Sequence, residues 1–377
     1  MHLQQKGIKW GLITNAFKVS AFVLLLNLVA YSQTPQKYPK AVEQSRKIIT
    51  ETMTKQNIPG LSIAVAVDGE IVWSEGFGFA DLENQLRVSP ATRFRIASIS
   101  KPFTAVAMAK VYEQGRLDPD LPIQKYVPNF PRKEKDITAR QLASHLSGIR
   151  HFRRDPDPAK DEFFTHREYY KSVSEGLRVF QDDPLDFPPG TKFGYSSFGY
   201  TLLSAAIEGA SGRDFLTYMQ EQVFDPLKMN STSADDNRKI IPNRTRFYSL
   251  DADRKPINAP YIDQSFSWAG GGFLSTSEDL VRFGGAQLKG GFLKEETLKE
   301  MFTSQKTPDG KETGTGLGWR IGKDKEGRGF YFHPGENVGG RSYLLMYPEK
   351  KVVVAMLHNL TGASLASIIE ISKLFVN

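Results

Sequence analysis

The chain has 377 residues, of which 40% are hydrophobic and 24% are charged, and its formal net charge is +7 at pH 7. This composition is that of a globular protein and excludes disordered, collagen-like and multi-span membrane proteins. The absence of cysteine excludes disulfide bonds, thiolate metal sites and cysteine nucleophiles. Basic and acidic residues are interspersed, as in PRKEKD at 131–136, so no nucleic-acid partner is expected.

The first 32 residues have the pattern of an export signal. They contain three lysines and no acidic residue, and an apolar stretch covers 19–29. The Ala-Tyr-Ser segment at 30–32 has small residues at the positions that signal peptidase inspects, which predicts cleavage after Ser32 and a secreted or periplasmic protein. The alternative is an uncleaved membrane anchor, although the apolar stretch is short for a membrane span. After cleavage no stable membrane insertion is expected.

Three elements are predicted before residue 116. Apolar residues recur at helical spacing over 41–56, which predicts a helix. Segment 61–78 changes to an alternating pattern, and Asp68-Gly69 between its halves is a strong β-hairpin signal. An apolar-periodic segment from Ser98 to Gly115 predicts a buried helix.

The rest of the chain divides into a helical and a strand-rich part. Prolines and helical patterns fill 116–261, at 138–146, 162–176, 197–211 and 213–227. Beyond Trp268 a glycine-rich segment leads into a helix that we expect to be capped by Ser275 or Ser277. Strands are predicted near 317–322, 329–333, 340–347 and 351–358, and a final helix at 363–375.

Strand-forming sequence at both ends predicts an α+β fold. We expect an antiparallel β-sheet flanked by helices and built from 33–115 and 262–377, with 116–261 as a mostly helical inserted domain. A cleft is expected at the boundary between the two parts.

Ser98 and Lys101 form the first pattern with catalytic chemistry. They are three residues apart at the start of the predicted buried helix, so their side chains share one helix face. A lysine can remove the proton of a serine hydroxyl when burial and the positive helix N-terminus lower its pKa. Pro102 places Ser98 close to that N-terminus, where its backbone N–H is free to bind an oxyanion. A capping serine with a surface lysine is the other interpretation, and Ser100 is interpreted as a capping or packing hydroxyl.

Two further patterns lie at positions typical of functional loops. Tyr195-Ser196-Ser197 follows a Pro-Gly turn and precedes a predicted helix. His333-Pro334-Gly335 ends one short strand and precedes another. Taken singly, each pattern also fits residues that only pack.

In this order, the Ser-x-x-Lys, Tyr-x-Ser and His-x-Gly patterns resemble the three motifs of the active-site-serine penicillin-recognising superfamily. This superfamily includes D,D-peptidases, class C β-lactamases and related esterases. The resemblance covers about 75–358. The blocks SISK, SHLSGIRH and YSSFGYTLLSA are especially similar to the mitochondrial serine β-lactamase-like branch.

The resemblance implies a two-step acyl transfer without a metal or cofactor. Ser98 would be the nucleophile, Lys101 its proton partner, and Tyr195 a second acid or base over the leaving group. His333 would line the cleft and assist the proton network of Tyr195 and Lys101. The backbone N–H groups of Ser98 and Glu336 would form the oxyanion hole.

Two positions depart from the superfamily pattern. Ser197 stands where many relatives have asparagine, which should weaken binding of a substrate amide. In the last motif many relatives have Thr or Ser between the first residue and the glycine, whereas this chain has Pro334 between His333 and Gly335. Proline lacks the hydroxyl and the N–H that would hold a substrate carboxylate. Efficient β-lactam hydrolysis is therefore not expected. Arg341 is a candidate to restore carboxylate binding, or else a surface arginine.

The sequence lacks the motifs that are typical of other hydrolase classes. There is no Gly-x-Ser-x-Gly elbow of an α/β-hydrolase and no His-Glu-x-x-His metal site. His145 is interpreted as a structural residue that orders the turn near the cleft.

Two functions remain open. The first is an exported serine hydrolase that forms an acyl-enzyme with small peptide, ester or cell-wall-derived substrates and is a weak β-lactamase at most. The second is a catalytically weak protein of the same fold that acts as a binding or self-assembling scaffold. The intact set of Ser98, Lys101 and Tyr195 favours the enzyme, and a homo-oligomer is compatible with either function.

Overall fold

The structure, a computed structural model, describes residues 37–376. Its helices are α1 (Pro39–Gln56), α2 (Ser100–Glu113), α3 (Ala139–Ala143), α4 (Glu162–Thr165), α5 (Val173–Gly176), α6 (Phe198–Ser211), α7 (Phe215–Met219), α8 (Trp268–Gly271), α9 (Ser277–Lys289), α10 (Glu295–Met301) and α11 (Ser367–Val376). Its strands are β1 (Gly60–Val67), β2 (Glu70–Asp81), β3 (Leu86–Arg87), β4 (Phe94–Arg95), β5 (Ser233–Ala234), β6 (Tyr248–Leu250), β7 (Pro256–Asn258), β8 (Phe273–Ser275), β9 (Arg320–Lys323), β10 (Gly329–Asn337), β11 (Gly340–Tyr347) and β12 (Val352–His358).

Seven strands form one antiparallel sheet in the order β3-β2-β1-β12-β11-β10-β9. β1 and β2 form the predicted hairpin, which turns at Asp68-Gly69 with both residues in the left-handed region. β1 also pairs with β12, so that Leu61 lies opposite His358. The predicted α+β fold, with an antiparallel sheet assembled from early and late segments and flanked by helices, is confirmed. Two small sheets, β4-β8-β5 and β6-β7, lie outside it.

Helices cover both faces of the sheet. Leu61 and Ile63 of β1 belong to a core cluster that includes α1 and α11. Ala64 and Ala66 point to the opposite face and belong to the larger core formed with α2, α6 and α9. All eight residues of β1 are buried, so the alternating pattern of the sequence does not correspond to one buried and one exposed face in this strand.

Some predicted boundaries differ from the structure. Residues 97–99 form a short 3-10 turn, and α2 begins at Ser100 rather than at Ser98. The cap of α9 is neither Ser275 nor Ser277 but Thr276, whose hydroxyl accepts a hydrogen bond from the Asp279 N–H at 3.1 Å. Ser275 ends β8 and Ser277 is already helical, so Thr276, whose backbone is extended, occupies the cap position between them.

The segment 116–261 is less regular than the sequence pattern suggests. The predicted helix over 162–176 is two short helices, and β5, β6 and β7 also lie within the segment. Its division from the sheet-bearing part at residues 115 and 262 stays a prediction. Between residues 37 and 376, no helix has the length and apolarity needed to cross a bilayer.

Candidate active site

The turn that carries Ser98 is held in a strained conformation. Ala97 has a φ of 48°, in the left-handed region that is unfavourable for a residue with a Cβ atom. The Ser100 hydroxyl donates a hydrogen bond to the Ala97 carbonyl oxygen at 2.7 Å, which stabilises the turn. As a result Ser98 lies just before the first turn of α2, partly exposed, with its backbone N–H at a helix start.

Lys101 is completely buried beside Ser98. Its Nζ lies 3.1 Å from the Ser98 Oγ, 3.0 Å from the Ser197 Oγ and 2.6 Å from the Gly270 carbonyl oxygen. Burial, and then the positive charge of Arg320, lower the pKa of Lys101 well below its usual value. A neutral amine has two N–H donors and one lone pair, so it can donate to Ser197 and Gly270 while accepting the Ser98 proton.

Tyr195 lies on the loop that enters α6. Its ring is 4.8 Å from Lys101 Nζ, and burial raises the pKa of Tyr195 to about 12, against the opposite effect of hydrogen bonding with Ser98 and Ser197. The hydroxyl therefore keeps its proton at neutral pH. In this state Tyr195 can donate a proton to a leaving group.

Three histidines surround the Tyr195 ring. The ring centroids of His145, His151 and His333 lie 4.3, 5.2 and 6.5 Å from it. Burial, and then the charge of Lys101, lower the pKa of His151 to about 3 and those of the other two well below their usual range. All three are therefore neutral at physiological pH.

Two of these histidines fix the loop that carries Tyr195. The Nδ1 atoms of His145 and His151 accept hydrogen bonds from the backbone N–H groups of Ser196 and Ser197, each at 3.2 Å. His145 also has a φ of 63°, which agrees with its interpretation as a residue that orders a turn. His151 was not among the sequence candidates.

His333 lies beside the proton network but makes no hydrogen bond to Tyr195 or Lys101 among the described residues. Its Nδ1 pairs with the Pro334 carbonyl oxygen at 2.7 Å, and the ring is buried. The geometry thus gives His333 contact with the Tyr195 ring, whereas the expected proton-transfer role stays a prediction.

Gly335 allows β10 to approach the nucleophile turn closely. A Cβ atom at this position would lie 2.3 Å from the Ile96 carbonyl oxygen and 2.2 Å from the Ser342 Oγ, so only glycine fits. Ser342 in turn donates a hydrogen bond to Ile96 at 2.5 Å. These contacts bring Glu336 and Ser98 to the same cleft, as the predicted oxyanion hole requires.

The cleft at Ser98 has a volume of about 300 Å³. Sequence-predicted residues that line it are Ser98, Tyr195, Ser197, Gly335, Glu336 and Arg341. Arg341 forms an ion pair with Glu336 at 3.5 Å and is therefore already partnered. Cleft residues that the sequence analysis missed are His151, Phe152, Arg154, Phe163 and Arg320, whereas Pro334, named there as a departure from the last motif, also lines the cleft.

Gly270 is a further missed residue, although it belongs to the glycine-rich segment that follows Trp268 in the sequence. A Cβ atom there would lie 2.8 Å from the Ser197 carbonyl oxygen and 2.9 Å from the Ser267 hydroxyl. The position is therefore restricted to glycine by the same packing that presents its carbonyl oxygen to Lys101. Over residues 37–376, no three His, Asp or Glu side chains are grouped in a way that could hold a metal ion.

Comparisons with known proteins agree with this geometry. The Beta-lactamase family model matches residues 46–369. The human (Homo sapiens) serine beta-lactamase-like protein LACTB, mitochondrial, is 37% identical, over 83% of this chain and 73% of its own.

Solved structures show the same fold. The octameric penicillin-binding protein homologue from Pyrococcus abyssi has a TM-score of 0.75 and 28% identity, covering 88% of this chain and 76% of its own. The D-stereospecific amidohydrolase from Streptomyces sp. has a TM-score of 0.73 and 26% identity, covering 88% of this chain and 97% of its own.

The prediction of a secreted or periplasmic protein is wrong. The human relative and its mouse and bovine counterparts, at 35–37% identity, are mitochondrial proteins by name. The predicted signal peptide, with cleavage after Ser32, lies outside the described residues, and the relatives do not support it. A basic leader without acidic residues is common to export signals and to mitochondrial presequences, so its composition alone did not separate them.

Proposed function

The chain belongs to the beta-lactamase family of serine hydrolases, and on that premise we propose that it cleaves ester or peptide bonds of small substrates through an acyl-enzyme on Ser98. The observation that carries this proposal is the buried Lys101 amine, 3.1 Å from the Ser98 hydroxyl, with a lowered pKa. A buried lysine with a lowered pKa beside a partly exposed hydroxyl is the arrangement that a general base for serine requires.

In the acylation step, the Ser98 oxygen attacks the substrate carbonyl carbon while Lys101 accepts the hydroxyl proton. The negative charge on the carbonyl oxygen is stabilised by the backbone N–H groups of Ser98 and Glu336. The protonated Tyr195 then donates its proton to the leaving oxygen or nitrogen, and the Lys101 ammonium returns a proton to the Tyr195 oxygen.

Deacylation uses the same groups in reverse. A water molecule attacks the acyl carbonyl and transfers a proton to the neutral Lys101 amine, and the proton finally returns to the Ser98 oxygen as the acid product leaves. No proton remains on the enzyme at the end of the cycle, so each group is ready for another turnover.

Esters and short peptides, including peptides of D-amino acids, are the proposed substrates. The similarity to a D-stereospecific amidohydrolase supports the peptide class. Pro334 offers no hydroxyl and no N–H at the cleft, which supports weak β-lactam hydrolysis at most.

The test is the intact mass of the full chain after exposure to a fluorophosphonate. The wild type should gain one adduct, and Ser98→Ala should gain none while its melting temperature changes little. Ser174→Ala is the matched control, because Ser174 is an exposed serine on α5 outside the cleft, and it should still be labelled. A folded wild type without an adduct would reject the enzyme and favour the scaffold alternative.

A self-assembling scaffold remains the second candidate, supported by the octameric state of the Pyrococcus homologue. Light scattering of the wild type and Ser98→Ala separates the two functions. A hydrolase that also assembles would show the same oligomer in both proteins and activity only in the wild type.

A further inference from the structure

A cavity of about 560 Å³ lies outside the candidate active site. Three arginines line it, Arg95 on β4 and Arg244 and Arg246 shortly before β6, and we call it the arginine cavity. The rings of Phe247 and Tyr261 form part of its apolar wall. None of its lining residues belongs to the cleft of the nucleophile, and its volume is in the range of small-molecule sites.

The wall of the arginine cavity is positively charged. Among residues 37–376, it has three guanidinium groups and no carboxylate. Asp235 is buried, does not line the cavity and is shared between Arg95 and Arg244. Asp263, another buried acidic residue near Arg95, accepts hydrogen bonds from Ser265 and Tyr261 and from no arginine of residues 37–376. An anion can therefore approach the arginines without meeting a carboxylate at the wall.

Each arginine keeps N–H groups that no residue of 37–376 accepts. Arg95 is only 4% exposed, and it donates through Nε to Asp235 and through Nη1 to the Val338 carbonyl oxygen, so Nη2 is left without a hydrogen bond. Arg244 makes its contacts through Nη2, which leaves Nε and Nη1. Arg246 reaches two carboxylates near the end of β2 only at 3.6 and 3.9 Å. Unused donors on a buried guanidinium are unfavourable, and a bound anion would satisfy them.

The number of unused donors favours a phosphate group over a carboxylate. A phosphate monoester carries nearly two negative charges at pH 7 and three acceptor oxygens, so it can accept from three guanidinium groups at once. A carboxylate has one charge and two oxygens, which suits a single arginine.

We propose that the arginine cavity is a second, non-catalytic site that binds the phosphate monoester of a small aromatic alcohol. Arg95, Arg244 and Arg246 hold the phosphate. The aromatic part contacts Tyr261, whose side chain is 56% exposed and available for ring packing, whereas the Phe247 ring already contacts the Arg95 guanidinium at 3.8 Å. The site requires no reaction at the catalytic serine, so it does not depend on the proposed hydrolase activity.

Isothermal titration of the full chain with phenyl phosphate provides the test, with benzoate and inorganic phosphate as comparison ligands. Phenyl phosphate should bind at one site, at least about 10-fold more tightly than either comparison ligand, because only it offers both the dianion and the ring.

Arg246→Gln should raise the Kd for phenyl phosphate about 10-fold, since it removes charged hydrogen bonds to the phosphate. Arg238→Gln is the matched control. Arg238 is 58% exposed against 56% for Arg246, and it contacts Asp236 at 3.5 Å, but it does not line the arginine cavity. Its Kd should equal that of the wild type, and melting temperatures should show that both variants are folded.

Two further variants locate the two halves of the ligand. Tyr261→Ala should weaken phenyl phosphate about 3- to 10-fold and leave inorganic phosphate unchanged. Arg320→Gln alters the catalytic cleft and should bind phenyl phosphate as the wild type does.

Four results would overturn the proposal. They are no saturable binding of phenyl phosphate to the folded wild type, equal affinity for benzoate, equal loss of affinity in Arg238→Gln and Arg246→Gln, and loss of affinity in Arg320→Gln instead. The first excludes the site, the second the phosphate class, the third a specific contact, and the fourth the location. Labelling of Ser98 by the fluorophosphonate is scored separately, so failure of this site and failure of the proposed function are distinguishable.

Discussion

The Nζ atom of Lys101 lies 2.6 Å from the carbonyl oxygen of Gly270, closer than to either serine hydroxyl that it contacts. The Gly270 carbonyl therefore sets the direction of the amine. Because a Cβ atom at Gly270 would lie 2.8 Å from the Ser197 carbonyl oxygen, Gly270→Ala must move the backbone. We expect kcat/KM to fall about 10- to 100-fold, since small displacements of reacting groups cost this much.

Gly271→Ala is the matched control for this experiment. A Cβ atom at Gly271 would have its nearest neighbour at 3.8 Å, an ordinary contact, so this variant should keep near-normal activity. The measurements are kcat/KM for ester hydrolysis and the melting temperature of both variants. Equal loss in the two alanine variants would show that the Gly270 carbonyl does not position Lys101.

Lys101→Met removes the amine and keeps its length. Loss of a general base lowers kcat/KM by about 10²- to 10⁴-fold. Burying an amine is unfavourable, so an apolar side chain at this fully buried position should leave the free energy of unfolding at least as high as in the wild type. Ester kinetics measures kcat/KM, and urea unfolding measures the free energy of unfolding. An active variant would contradict the catalytic role of Lys101, and a variant less stable than the wild type would contradict the predicted effect on the free energy of unfolding.

The pH dependence of ester hydrolysis should respond to Arg320. Burial lowers the pKa of Lys101 first, and the charge of Arg320 lowers it further. A base acts when it is neutral, above its pKa. Arg320→Gln removes one lowering effect, so the pKa of Lys101 rises and the acid limb of the kcat/KM profile moves to higher pH.

A neutral ester, the phenylacetyl ester of glycolamide, should be used for this profile, so that substrate charge does not contribute. Lys323→Gln is the control, because it removes a positive charge from the same strand at an exposed position outside the cleft, and it should leave the limb in place. A limb that moves to lower pH in Arg320→Gln, or that does not move, would show that Lys101 is not the titrating base.

A buried carboxylate that pairs with two arginines should contribute strongly to the free energy of unfolding. Asp235 accepts a hydrogen bond from Arg95 Nε at 2.7 Å and pairs with Arg244 at 2.5 Å, while Arg95 also donates to the Val338 carbonyl oxygen. Asp235→Asn leaves two guanidinium groups without their anion, which should lower the free energy of unfolding by about 3–5 kcal/mol.

The exposed pair of Lys306 and Glu312 provides the comparison, because surface pairs contribute little. In urea unfolding, Glu312→Gln should differ little from the wild type. An equally small effect of Asp235→Asn would mean that water replaces the carboxylate.

Local patterns in the sequence were sufficient to predict the β1–β2 hairpin and part of the candidate active site. Asp68-Gly69 specifies its own turn, and the spacing of Ser98 and Lys101 brings their side chains together within one helical turn. The family resemblance supplied Tyr195, which the structure places near both. For these residues short-range geometry or a known motif was enough.

The missed residues depend on contacts between distant segments. Arg320 is indistinguishable in sequence from a surface arginine until β9 pairs with β10, and His151 gains its role only when its ring meets the Ser197 N–H. Arg341 was a reasonable carboxylate partner by position. Its pairing with Glu336 across β10 and β11 could not be read without the register of those strands.

The pairing of Leu61 with His358 has a consequence for biosynthesis. Ser98 leaves the ribosome long before β10 and β12 are made, so the early hairpin has no neighbour to complete the sheet and the predicted oxyanion hole lacks its Glu336 N–H. Domains fold as units and long-range strand pairing is slow, so the nascent chain is expected to be inactive until its last strand emerges. Pairing of β12 with β1 is therefore expected to be the step that completes the active site.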